Sequence, residues 1–229
     1  MKILLICDDY QHPGQVPIDG VAPLEQRGFQ FDIITNANDF SGSSLAQYPV
    51  VLLCKCDEVS QTERTPWKTE DIQRTFIDYV EGGGGLLAVH SAVVSGKNTE
   101  ALDKLLGCRF LKHPLAGPVT VQPVKPHPVT EGVGMFCETD EHYRLEILVE
   151  DIDILLASYS PPQGEESKYQ KDWYHNSPAA ICAAGFTRTQ GRGRVCVLTP
   201  GHNLAVWLNA QFQQLLENAL NWAGGESGG

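Results

Sequence analysis

The sequence predicts an α/β fold in which a doubly wound, mostly parallel sheet carries helices on both faces and an antiparallel extension. Three observations predict it. Short, unbroken apolar runs recur at Lys2–Cys7, Val50–Cys54 and residues 86–89, as parallel strands buried on both faces require. Segments with helical spacing separate these runs, which is the order of a βαβ sheet. Beyond about Val119 the apolar runs become shorter and follow one another with no helical pattern between them.

The elements follow in chain order. The first ten residues, MKILLICDDY, hold one lysine and an apolar run that ends at once on two acids, so they read as a first strand and not as a signal peptide. Residues 16–27 form a helix disturbed by Pro17 and Pro23, residues 31–35 a second strand and Val50–Cys54 a third. Thr69 caps a helix with Glu70 and Asp71 in its first turn, Ile72, Phe76, Ile77 and Val80 on its apolar face, and Gly82 at its end. Residues 86–89 make the next strand, and residues 98–106 a helix closed by Gly107. VTVQPV, HYRLEIL and IDILLASY then read as short strands, before a long polar loop over residues 161–178 that holds Trp173, Tyr174 and His175. The chain returns through residues 179–184, turns at 191–194 and forms a strand over 195–199. A final helix is capped by Asn203, with Leu204, Trp207, Leu208, Phe212, Leu215, Leu216 and Leu220 in one stripe. This describes a single domain over residues 1–223 and a flexible tail over 224–229.

Composition narrows the function. A chain of 229 residues with 42% hydrophobic and 20% charged residues is compact and not disordered. Its net charge of -11 argues against nucleic acid and anionic membrane as partners, because both require a basic face. No apolar run approaches the roughly twenty residues of a membrane-spanning helix. Seven cysteines, at 7, 54, 56, 108, 137, 182 and 196, are an odd number set mostly in strand-like runs, which points to reduced thiols and a cytoplasmic location. Cys54 and Cys56 lack the spacer of a zinc loop and read as core or strand-end thiols.

Ligands of open α/β sheets bind beyond the carboxyl ends of the parallel strands. Three strands here end in polar residues at that edge: Asp8-Asp9 followed by His12, His90-Ser91, and His202 after Thr199-Pro200-Gly201. A sharp turn that presents a side chain after a strand is also the geometry of a nucleophile elbow. One surface histidine at such a turn most often serves a carbonyl. Three at one edge point to a site.

Tyr10-Gln11-His12, the glycine run into AVHSA, Lys112-His113-Pro114, His127-Pro128-Val129-Thr130, Asp140-Glu141-His142-Tyr143, Pro178-Ala179, GRVCVLTPGH, Trp207 and the final WA occur in an order and spacing that resemble the ThuA family of trehalose-utilisation proteins. The resemblance implies the fold of class I glutamine amidotransferases, which is flavodoxin-like. In that fold the elbow carries the cysteine that attacks glutamine; here it carries His90, so glutaminase chemistry is not expected.

The resemblance also implies a small carbohydrate partner, a disaccharide or keto-sugar derivative, with hydrolytic or isomerising chemistry. His90 and His202 are then the acid and base, Glu141 their carboxylate partner, and His12, Ser91, His113 and Tyr143 the substrate-binding groups. The same imidazoles and carboxylate, His90, His113, His202 and Glu141, suit a divalent Zn, Mn, Fe or Ni ion, although no compact H-E-x-x-H spacing joins them. His127, before a proline, is read as structural, and Asp140 as orienting a histidine or capping a loop. Tyr143 and Trp173 are candidates for stacking on a sugar, whereas Trp207 is read as core. The rival reading is a non-catalytic sugar-binding or regulatory module, and homo-oligomerisation is compatible with both.

Overall fold

The computed structural model describes residues 1–161 and 181–225. The loop with Trp173, Tyr174 and His175, and the Pro178-Ala179 pair, lie outside the described residues. In chain order the elements are β1 (Lys2–Cys7), α1 (Gln15–Glu25), β2 (Gln30–Ile34), β3 (Val50–Cys54), α2 (Glu70–Glu81), β4 (Gly85–Val89), α3 (Glu100–Leu106), β5 (Cys108–Lys112), β6 (Gly117–Pro123), β7 (Phe136–Asp140), β8 (Arg144–Ile147), β9 (Asp153–Tyr159), β10 (Cys182–Gln190), β11 (Gly193–Leu198), α4 (Leu204–Leu208) and α5 (Ala210–Ala223).

One nine-stranded sheet has the order β2-β1-β3-β4-β11-β10-β9-β6-β7. The block from β2 to β11 is parallel throughout, with Cys7 level with Cys54 and Leu198 level with Val89. From β11 outward through β10, β9, β6 and β7 every pairing is antiparallel, which is the extension expected beyond Val119. A separate antiparallel pair joins β5 to β8.

Alternation along the parallel strands divides the core in two. Ile3, Leu5, Leu52, Leu87 and Val89 face Leu24 of α1 and Trp207, Phe212, Leu216 and Leu220 of α4 and α5. Leu4, Ile6, Val51, Leu86 and Ala88 face Phe76 and Val80 of α2 and Leu102 and Leu105 of α3. Each of the buried Leu, Ile and Val side chains among these contributes about 1.5–3 kcal/mol. The glycine run before β4 allows a close approach: a Cβ on Gly85 would stand 2.4 Å from the carbonyl oxygen of Ala223 at the end of α5.

Local chemistry explains most boundaries. Pro17 falls in the first turn of α1, where its missing N–H has no helical acceptor, and α1 ends two residues after Pro23. Thr69 caps α2 by accepting from the Ile72 N–H at 3.4 Å. Gly107, at φ +85°, closes α3. The final helix differs from the single stripe expected. It is two helices, because Asn209 is extended at ψ 130° and its side chain caps α5 by accepting from the Gln211 N–H. Asn203 instead donates its amide to the Thr139 carbonyl, and Leu208 is left half exposed.

Candidate functional site

Each functional side chain stands where a strand ends. His12 follows β1, His90 follows β4 and His202 follows β11, all at the carboxyl edge of the parallel block. Their ring centroids lie 5.1 to 5.4 Å apart. Glu141 follows β7, and the small β5–β8 sheet presents His113 and Tyr143 from its end.

His90 sits at φ +49°, a left-handed conformation that costs a non-glycine residue about 1–3 kcal/mol. It opens a single helical turn over His90–Val93, so the elbow expected from sequence is present. Its Nδ1 lies 2.8 Å from the Thr199 carbonyl oxygen. A carbonyl only accepts, so this nitrogen carries the hydrogen and the neutral ring keeps its electron pair on Nε2. That Nε2 is buried and stands 3.4 Å from Glu141 Oε2, without hydrogen-bond geometry.

His12 is fixed the same way. Its Nδ1 is 2.7 Å from Oδ1 of the fully buried Asp9, which also accepts the N–H groups of Gln11, His12 and Cys56. Burial alone would raise the Asp9 carboxyl, but the His12 hydrogen bond and charge, with the Cys56 and Gln11 amides, hold it well below the usual carboxylate range. When the His12 ring is neutral, its electron pair is therefore left on Nε2.

Glu141 is the meeting point. Its Oε2 lies 3.3 Å from His202 Nδ1 as well as 3.4 Å from His90, and its Oε1 lies 3.6 Å from His113 Nε2. Burial pushes its carboxyl up, and the surrounding His202, His90 and His113 imidazoles outweigh that and hold it well below the ordinary range. The Glu141 contact raises the His202 imidazole against the opposing effect of burial. Each of His12, His90, Glu141 and His202 offers one ligand atom, and these four atoms lie within 4.8 Å of one another. His12 thus joins the group from which the sequence drew its metal candidates, while His113 stands outside it, on the far oxygen of Glu141.

The remaining candidates have distinct places. Ser91 is buried in the elbow turn and, with His12, Cys54, His90 and His202, lines a cavity of about 10 Å³. That holds about one water-sized particle, so a larger ligand must approach from outside it. Tyr143 is buried, its ring stacked on His90 at 4.2 Å between centroids and tilted against Phe110, so its face is already taken. Trp207 is core and donates its indole N–H to the Gly201 carbonyl at 2.8 Å. His127 accepts the Val129 N–H and caps a turn over Pro128–Thr130, which is a structural role.

Asp140 accepts the N–H groups of Glu141, Gly201 and His202 and so caps the loop that carries His202. Gly201 is required there: at φ +143° it is in glycine territory, and a Cβ would meet Val89 at 3.1 Å and His90 at 3.3 Å. A second cluster, Asp9, Cys56 and Glu58, has its carboxylates engaged by the Cys56 and Tyr10 amides and its thiol pushed up, chiefly by burial.

Sequence reasoning passed over Asp9 as an orienting group and the Thr199 carbonyl. The first left a signal, an acid three residues before His12. The second left none, since any residue supplies a carbonyl.

An elbow and a polar cluster at the carboxyl edge of a parallel block define an amidotransferase-like α/β protein. The chain belongs to the ThuA family, described as trehalose utilisation, which it matches over residues 4–223. It is similar in fold to a ThuA-like protein from Bacteroides uniformis, at 22% identity and TM-score 0.72 over 97% of this chain and 91% of that one. A ThuA-like protein from Parabacteroides merdae gives 21% identity and TM-score 0.73 over 98% and 90%. A cytoplasmic protein from Salmonella typhimurium gives 16% and 0.60 over 97% and 99%. Comparison with curated protein sequences gave no match. Among the described residues no helix is long and apolar enough to cross a membrane.

Proposed function

We propose that this is a cytoplasmic enzyme of carbohydrate use, acting on a disaccharide or keto-sugar derivative with a divalent metal ion held by His12, His90, His202 and Glu141. One observation carries the reading. His12 and His90 each spend their Nδ1 hydrogen on a fixed outward acceptor, as metal-bound histidines commonly do. Their Nε2 electron pairs remain, and that of His90 faces a carboxylate already in contact with His202. Such an arrangement calls for positive charge at its centre. Three imidazoles and a carboxylate without a thiolate suit Zn, Mn, Fe or Ni.

Bound there, such an ion supplies Lewis acidity toward a carbonyl or hydroxyl oxygen. The residues do the rest. Asp9 and the Thr199 carbonyl orient the two rings, and Tyr143 covers one face of His90. His113, one-third exposed and held by its Nδ1 to the Pro114 carbonyl, offers Nε2 beside Glu141 Oε1 as the group able to exchange a proton with solvent. The raised His202 imidazole favours a second reading, in which protons replace the ion, His90 and His202 act as acid and base, and Glu141 stabilises their charge.

Glutaminase activity is not part of this proposal. The elbow carries an imidazole, and the cavity's one thiol, Cys54, is buried and held protonated by that burial. Chelator-treated protein should take up one Zn, Mn, Fe or Ni ion per chain by calorimetry, and a screen of disaccharides and keto-glycosides should then reveal turnover. In that assay His90→Gln should lose the ion and with it the turnover, its fold intact; under the acid–base reading the loss is instead about 10²- to 10⁴-fold in rate with no dependence on metal. No uptake at millimolar metal would leave the acid–base reading. A ligand bound without turnover would favour the non-catalytic module.

A further inference from the structure

In the sheet, β10, β9 and β6 lie between β11 and β7. Glu141, immediately after β7, nevertheless meets His202, four residues after β11. A row of hydrogen bonds closes that gap. Three consecutive residues at the end of β7 all bond to the segment 201–209. The Glu138 carboxylate accepts from Asn209 Nδ2 at 2.9 Å, and the Thr139 carbonyl accepts from Asn203 Nδ2 at 3.0 Å. Asp140 accepts from the Gly201 N–H at 2.9 Å and the His202 N–H at 3.0 Å.

We infer that Asp140 is a positioning residue that sets the separation of Glu141 and His202, and through it the affinity and geometry of the metal site; the inference rests on the metal reading above. Asp140 is 2% exposed, and its carboxylate takes three backbone donors, the Glu141 N–H at 2.9 Å being the third. One oxygen serves Glu141 and His202 while the other serves Gly201, so the group holds both ligand-bearing residues by their main chains. Only a carboxylate accepts on both oxygens. An asparagine would turn an amide hydrogen toward one of those N–H groups. The antiparallel extension thereby acquires a role: it curls the end of β7 round to the loop after β11, and Asp140 makes the join.

Cobalt titration of metal-free protein, followed by calorimetry and by visible absorption of the bound ion, tests this. Asp140→Asn should weaken binding about 10- to 100-fold, the usual effect of losing a group that orients ligands, and should shift the absorption bands at saturation. Asn209→Ala loses another bond of the same row and the cap of α5 but touches neither ligand-bearing residue, so it reports destabilisation and should move affinity and bands far less than Asp140→Asn. If Asp140→Asn does not fold, Asp140→Ser, which keeps one acceptor and adds no opposed amide, should move both readings in the same direction. Wild-type affinity and bands in the folded variant would overturn the inference alone. A wild-type protein that binds neither cobalt nor any of Zn, Mn, Fe and Ni would overturn the metal reading and this inference together.

Discussion

At the scale of single residues, the chemistry depends on where hydrogens sit. His12, His90 and His202 were legible as candidates because each follows a strand at the carboxyl edge. The tautomers of His12 and His90 were not, since these depend on Asp9 and on a carbonyl 109 positions away in the chain. Tyr143 shows the converse: an aromatic residue beside a carboxylate reads as a sugar platform, but packing against His90 and Phe110 buries it. A pH prediction follows from His202 and Glu141 in the metal-free protein. His202 titrates above its unfolded value, so its contribution is fully present below about pH 6.5 and is lost as pH rises through the folded value. Glu141 titrates below its unfolded value, so its contribution is present above about pH 4.3 and is lost as pH falls through the folded value. Wild type should therefore exceed His202→Gln in melting temperature most clearly between about pH 4.3 and 6.5, and the difference should shrink at higher pH. A difference that grows above pH 7 would contradict the assignment.

At the scale of elements, the parallel strands and α2 could be read directly because periodicity and local capping determine them. β5 and β7 were not anticipated. Their sequences, CRFLK and FCETD, have little apolar alternation, and they are strands because neighbours pair with them. Those two strands lead directly into His113 and Glu141, so half the polar surroundings of the elbow depend on tertiary pairing. The break between α4 and α5 has the same origin: Asn203 is drawn to Thr139, and Asn209 takes over the capping. Trp207 of α4 supports the His202 loop through the Gly201 carbonyl. Trp207→Phe should orphan that carbonyl and leave a cavity where the larger ring stood, lowering stability by at least about 1–3 kcal/mol in denaturant unfolding. A variant as stable as wild type would show that the bond contributes nothing net.

At the scale of the whole molecule, a shared scaffold carries altered reagents. The fold is amidotransferase-like, and the residue at its strained elbow is His90. Incubation with glutamine should therefore release no ammonia above background. Release that disappears on substitution of Cys54 would show that a buried thiol does the chemistry after all. In the metal reading proposed above, four side chains from four strand ends enclose one cation. Anomalous diffraction from crystals soaked in zinc or manganese tests it most directly. A single strong peak is expected within bonding distance of His12 Nε2, His90 Nε2, His202 Nδ1 and a Glu141 carboxylate oxygen. Data without a peak there, from crystals in which the four side chains are ordered, would contradict it.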